Sequence, residues 1–507
     1  MKKLLVFATL LLTGCASIPS ISSVNVVSQV DLNADTDRVR VIARPPTTSM
    51  TPQEIVEGFL GANASLTGNR MVAKQYLTTN AAAQWKMDDT FIMDAALTSI
   101  VLADENHASL TIGAIGLLSK DSRLSWFDSP QIKSYQVSLV KTSAGYRITN
   151  SDLPVAMSTK DFYRNYSHFT AYFLTPDYST LVPDSLWLAA NASTGRTQLM
   201  NALLQGSSET AQGSVRSAIP AGSKLAVAAV TLDGGVSNVS LTSQALQLSK
   251  QQRKAMLAQI VWTLTELSNA SAVAVSSGGQ PMTVDGKSQL TRTLLGSFAP
   301  DFVRPDLTLY YSDSNGIFRI KESKSAKLSD LSNVQQLAIS HSGSSIAYIA
   351  AGLAYLGTTA NTLASTLVSS GIASIDFDRY NRLWLLNQSG QILVKSGARE
   401  PVAVSGQPAN VLSMALAPDG ARLAVVQTST SGNVLRLYAV VNTANGVAFT
   451  EGQRIETSFT DVTDVDWISD SELAVIGRMS GGEVRVYRLG FNNLPPVSIG
   501  AVTDAVQ

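Results

Sequence analysis

Apolar positions recur with three different rhythms along the chain, and each change of rhythm marks a different kind of unit. From residue 51 the spacing is helical. Thr51-Pro52-Gln53-Glu54 reads as a capping box with proline at the first helical position, and Ile55, Val56, Phe59 and Leu60 then share one face. Shorter helices are predicted over 70–76 and 79–85. From about residue 91 to 148 the period becomes two, with strands over 108–117, 135–140 and 146–148. Helices followed by an antiparallel sheet predict an α+β cone over 51–165. A second α+β unit, 166–297, alternates the two rhythms: a strand at 171–174, a helix with Leu199, Met200, Leu203 and Leu204 stopped at Gly206, strands at 224–232 and 239–241, a helix capped by Ser249 and Gln252, and a strand at 272–275.

The remainder, 298–507, is strand-rich and repeats itself. Leu337-Ala338-Ile339-Ser340-His341-Ser342-Gly343 aligns with Met414-Ala415-Leu416-Ala417-Pro418-Asp419-Gly420. Segments at 375–381 and 465–470 fit the same frame, and each is followed by a short apolar strand. The anchors Ile339, Phe377, Leu416 and Trp467 are 38, 39 and 51 residues apart, close to the roughly 40 residues of a four-stranded propeller blade. About five blades are visible, the first partial over 307–320. A sixth is either hidden in the irregular joins or completed by the tail near 497–499. The fold class is therefore multidomain: two α+β domains followed by an all-β propeller.

The first residues carry a different signal. Lys2 and Lys3 precede an apolar run, and Leu12-Thr13-Gly14-Cys15 follows. Charge, apolar core and small residues form a secretory signal, here 1–14, too short to span a bilayer. The Leu-Thr-Gly-Cys run resembles a bacterial lipobox, which implies cleavage between Gly14 and Cys15 and acylation of Cys15, the chain's only cysteine. Two or three acyl chains make a stable anchor where one is marginal. Residues 15–50, ending in Arg44-Pro45-Pro46, read as a tether, although the alternating stretch 38–43 could instead add an edge strand to the next domain.

Composition narrows the function. With 38 basic and 38 acidic residues, and charged residues only 15% of the chain, there is no nucleic-acid footprint. No disulfide can form once Cys15 is lipidated. The three histidines, His107, His168 and His341, stand at no metal-ligand spacing. Ser138 and Lys141 match Ser-x-x-Lys by letter but sit in a strand pattern, where they cannot share a helical face. No cofactor motif and no nucleophile elbow is present. The remaining candidates for chemistry are Asp461, Asp464 and Asp466. Asp464 and Asp466 share one strand face, as do Asp376 and Asp378 in another blade. Such carboxylates either hold a cation in a propeller channel or satisfy loop amides. Trp126, Trp187 and Trp384 serve core packing or a partner surface.

Three units in this order behind a lipobox resemble the actinobacterial lipoprotein LpqB family. The resemblance rests on Met50-Thr51-Pro52-Gln53-Glu54-Ile55-Val56-Glu57-Gly58-Phe59-Leu60, on Ala202-Leu203-Leu204-Gln205-Gly206 and on Val261-Trp262-Thr263-Leu264-Thr265-Glu266. The last two are similar to the GerMN domain, although Ser207 stands where Gly-Pro is common. The resemblance implies a lipid-anchored protein on the extracytoplasmic face of the cell membrane. Its implied partner is a sensor histidine kinase of the MtrA–MtrB type, governing cell-envelope homeostasis and division, with no catalysis and no cofactor. The alternatives are a propeller enzyme, a binder of sugar or cell-wall ligands, and a structural link to wall polymer. Cys15→Ala should release the protein to the medium or leave its signal uncleaved, because no other segment reads as a membrane anchor; a processed, fully membrane-bound variant on fractionation would contradict this.

Overall fold

The computed structural model describes residues 43–502, save 67, 190–193, 268, 301–307, 360–362, 430–431, 445, 457 and 492–495. The signal segment, Gly14, Cys15 and most of the tether lie outside the described residues.

The first domain opens where its capping box predicts. Helix α1 (Pro52–Ala62) starts at Thr51, whose hydroxyl accepts the Glu54 amide while the Glu54 carboxylate accepts the Thr51 amide at 2.7 Å. Its buried face is Ile55, Val56, Phe59 and Leu60. Two short helices, α2 (Met71–Gln75) and α3 (Thr79–Gln84), follow. The strands Thr90–Leu102, His107–Leu118, Leu124–Thr142 and Gly145–Ile148 pair antiparallel in that order, and Val155–Ser158 runs parallel to the first. Bulges at Ile92/Met93 and Ala114/Gly116 bend this sheet around the helices. Phe59 packs on Trp85, whose indole donates to the Leu153 carbonyl at 2.7 Å.

The end of the expected tether is not free. Ala43 and Met50 pack against the cone core, and the Tyr76 hydroxyl donates to the Arg44 carbonyl at 2.8 Å. The chain lies across Gly145, which has φ +96°, and a Cβ there would come within 3.0 Å of the Thr47 carbonyl oxygen. Residues 43–50 thus belong to the cone: two prolines hold them extended, and the cone offers them an apolar surface.

Helix α4 (Thr159–Asn165) leads into the hairpin Tyr166–Leu174/Leu181–Ala189. Against it pack α5 (Gly195–Gln205) and α6 (Lys250–Leu264), the latter capped by Ser249 and Gln252 as predicted. Residues 255–264 of α6 are all buried, so this helix is the axis of the second domain's core. Beside it, Val236–Leu241 runs parallel to Ala272–Ser277. The strand expected over 224–232 shrinks to Thr231–Asp233, with a lone bridge between Leu225 and Leu241. Val227 points out to solvent, and the Val230 amide bonds the Thr197 hydroxyl on α5 instead of a strand partner.

The C-terminal region forms five sheets among the described residues, one of three strands and four of four, counting the two-residue Gln453–Arg454 as the fourth strand of the fourth. Their first strands lie side by side in chain order. The anchors Ile339, Phe377, Leu416 and Trp467 are each the last residue of a first strand. The turn that follows is held from inside by one side chain. In the third blade the Asp378 carboxylate accepts the amides of Tyr380 and Arg382 at 2.9 Å, the Arg382 guanidinium and the Trp384 indole. Asp419 does the same for Ala421 and Arg422 in the fourth, and the Ser340 hydroxyl accepts the Ser345 amide in the second. Val497–Ala501 pairs with Val484–Gly490 and so completes the fifth blade. Asp378 is 1% exposed, so Asp378→Ala would strand Arg382 and should lower propeller stability by about 3 kcal/mol or more. Urea denaturation of the full chain measures it, and a loss below about 1 kcal/mol would contradict this reading of the turn.

Candidate functional site at the domain junction

Three aspartates of the first strands, Asp376, Asp461 and Asp464, reach across to a neighbouring blade, and Asp466 bonds within its own strand. Asp464 accepts the Ser413 hydroxyl of the fourth blade and its own neighbour's amide, Val465, at 2.9 Å. Asp466 accepts the Trp467 amide at 2.7 Å. Asp461 accepts the Asn433 amide at 3.3 Å. Asp376 accepts the amides of Phe377 and, across blades, Leu416 at 3.0 Å. Among the described residues no group of three or more His, Cys, Asp or Glu side chains is placed to hold a metal ion. Asp376 keeps partial exposure as a residue, but the protein packed around its carboxyl pushes the pKa up to about 7. The two amides oppose that shift, while Asp466 and Asp378 add to it. Burial and then Asp464 raise Asp466 as well.

The other residues singled out above disperse. His107 is exposed at a strand start beside Asp104, and His341 sits in the first turn of the second blade. Ser138 and Lys141 lie three positions apart in the strand Leu124–Thr142 and so on opposite faces. Trp384 is fully buried.

His168, Trp126 and Trp187 come together instead, at a place where all three domains meet. Arg123, just before the strand Leu124–Thr142, reaches into the second domain: it donates to the Ser185 carbonyl at 2.5 Å, to the Gly206 carbonyl at 3.4 Å, and pairs with Asp184 at 3.1 Å. Asp184 also accepts the Ser208 amide at 2.8 Å, fixing the loop after α5. The Trp187 amide donates to the Ser122 carbonyl, and the ring packs on Phe162 at 4.8 Å. From the propeller, Gln453–Arg454 of the fourth blade bridges to Trp126, so that the blade and the cone sheet form one ten-stranded sheet. Arg436 pairs with Asp128, and Arg454 donates to the carbonyls of Asp128 and Glu456. Ala421 of the same blade is part of the second domain's core.

These contacts enclose a cavity of about 370 Å³. Trp126, Trp187, Tyr438 and Phe491 give it aromatic walls, and Arg123, Asp184, Arg454 and Glu456 line it too. His168 also lines it; burial pushes its imidazole down to about 3, so it is neutral, and its Nε2 has no hydrogen-bond partner. Tyr163 is pushed up to about 12 by burial and by Glu456. Sequence reasoning missed Arg123, Asp184 and Arg454, whose neighbourhood in the chain carries no motif.

Comparison with known proteins gives three consecutive domain matches: the N-terminal domain of lipoprotein LpqB at 45–163, a domain described as sporulation and spore germination at 170–283, and the lipoprotein LpqB beta-propeller domain at 313–505. The chain is similar to lipoprotein LpqB of Streptomyces coelicolor, 25% identical over 98% of this chain and 89% of that one. It is similar to lipoprotein LpqB of Cutibacterium acnes at 24% identity with the same coverage. Among solved structures, TolB from Acinetobacter baumannii is 12% identical, covers 39% of this chain and 53% of that one, and has a TM-score of 0.31.

The raised Asp376 has a measurable consequence. The folded chain keeps a proton that the unfolded chain has lost at the ordinary carboxylate value, so this group's contribution is fully present below that value and disappears as pH climbs through about 7. Propeller stability should fall across that window by on the order of 1 kcal/mol per pH unit at most. Asp376→Asn should flatten the slope between about pH 4 and about pH 7 in urea denaturation, and an unchanged slope would contradict it.

Proposed function

The chain belongs to the LpqB lipoprotein family, and from that premise we propose that it sits on the extracytoplasmic face of the cell membrane, anchored by acyl chains on Cys15, and modulates a sensor histidine kinase of the MtrA–MtrB type without catalysis of its own. The observation that carries this reading is the docking of all three domains around one junction behind a lipobox. A protein that acts by binding needs a fixed surface, and clamps such as Arg123 with Asp184 supply fixity between domains. No helix among the described residues is long and apolar enough to cross a membrane; the proposed attachment is the acylated Cys15 of the lipobox. Confinement to the membrane surface raises the effective concentration of a membrane-embedded partner, so a weak contact suffices. Modulation then requires only that the contact be stronger with one signalling state of the kinase than with the other. The partners held by Asp376, Asp461, Asp464 and Asp466 support a structural role for the carboxylates that would otherwise suggest channel chemistry.

Deleting the protein should change phosphorylation of the partner response regulator in cells. A soluble form lacking Cys15 should restore it poorly, although it keeps every folded domain. Asp464→Asn with Asp466→Asn should leave signalling intact. Unchanged phosphorylation in the deletion would contradict the proposal. Loss of signalling in the double variant, at unchanged membrane level, would move the function to the propeller channel.

A further inference from the structure

The kinase reading makes no use of the cavity at the junction. We propose that this cavity binds an uncharged saccharide of one or two rings. Its volume of about 370 Å³ falls in the lower part of the ~300–1,000 Å³ range of small-molecule sites. Its chemistry narrows the ligand class. The cations that line it are already answered: Arg123 by Asp184, Arg422 by Asp419, and Arg454 by the neighbouring Asp128 and Glu456 charges as well as by their carbonyls. An anion would meet Asp184 and Glu456 with no unmatched cation to offset them, and a cation would meet the arginines in the same way. A purely apolar ligand would cover the rings but leave buried polar atoms without partners.

Two such atoms belong to lining residues of different domains. His168 Nε2 of the second domain, in a residue 8% exposed, and Ser458 Oγ of the propeller are both buried and have no hydrogen-bond partner. A buried polar atom in that condition costs stability unless a water or a ligand meets it. The imidazole is neutral, so it offers a hydrogen bond and no charge. Trp126, Trp187, Tyr438 and Phe491 line the same cavity, and Trp187 lies against the His168 ring at 5.5 Å. A sugar satisfies both demands together: its C–H faces pack on aromatic rings, and its hydroxyls donate and accept without bringing charge. Cone, second domain and propeller each supply part of the wall, so occupancy would also favour the docked arrangement.

The test titrates the full-length lipoprotein, in a non-glycosidic detergent, with cellobiose, maltose and N,N′-diacetylchitobiose. Calorimetry and tryptophan emission are the readouts. Saturable binding of at least one of them at a single site per chain, with a shift in emission, is expected. His168→Leu should weaken it roughly tenfold at a melting temperature no lower than that of the parent protein. Ser458→Ala, on the propeller side, should weaken it several-fold and keeps the test decisive where the histidine variant does not fold. No saturable binding up to about 10 mM of any of the three, or affinity unmoved by Ser458→Ala, overturns the proposal. Tighter binding of a fatty acid such as dodecanoate at the same site overturns it too.

Discussion

A two-residue strand holds the molecule's two halves in register. The cone's strand Leu124–Thr142 pairs with His107–Leu118 on one edge, and its other edge is shared by Gly145–Ile148 and by Gln453–Arg454 of the fourth blade. A bare strand edge is a hazard to a folded protein, because it invites pairing with other chains. Here part of that edge is used to join domains. Once Trp126 is bridged to Arg454, Asp128 falls beside Arg436, Arg123 faces Asp184, and the loop after α5 closes over the cavity.

The electrostatics of this junction favour specificity over raw stability. Arg123 and Asp184 are both largely buried, and burial pulls the Arg123 pKa down while Asp184 holds it up. A pair in that position gains little over a well-packed apolar one, but losing a single member is costly. The arrangement therefore penalises any other docking of cone on second domain. The same logic operates inside the propeller, where Asp378 and Asp419 each serve a turn, an arginine and, for Asp378, an indole.

Legibility from sequence followed the range of the interaction. Both capping boxes, at Thr51 and Ser249, depend on residues three apart and appear where the pattern places them. The blade anchors were readable because a strand, a tight turn and a second strand repeat with the same local chemistry. The strand expected over 224–232 failed where a side chain 33 residues away, Thr197, took the Val230 amide. The docked segment 43–50 was hidden because its partner, Tyr76, belongs to a later helix end. Most hidden of all was the junction: Arg436 and Asp128 are 308 residues apart, and no periodicity links them. His168 was visible as one of three histidines, but its burial against Trp187 is a tertiary fact.

The proposed role, a lipid-anchored body acting on a membrane partner, makes one direct demand, which is physical contact with that partner in the intact cell. Photo-crosslinking from exposed positions, for example Ile132 on the cone, Val227 on the second domain and Leu367 on the propeller, followed by identification of the captured species, measures it. The account predicts that at least one position captures the extracytoplasmic domain of a sensor histidine kinase, and that capture fails when Cys15 is replaced. Capture of wall polymer alone from all three faces, with the kinase present and expressed, would contradict it.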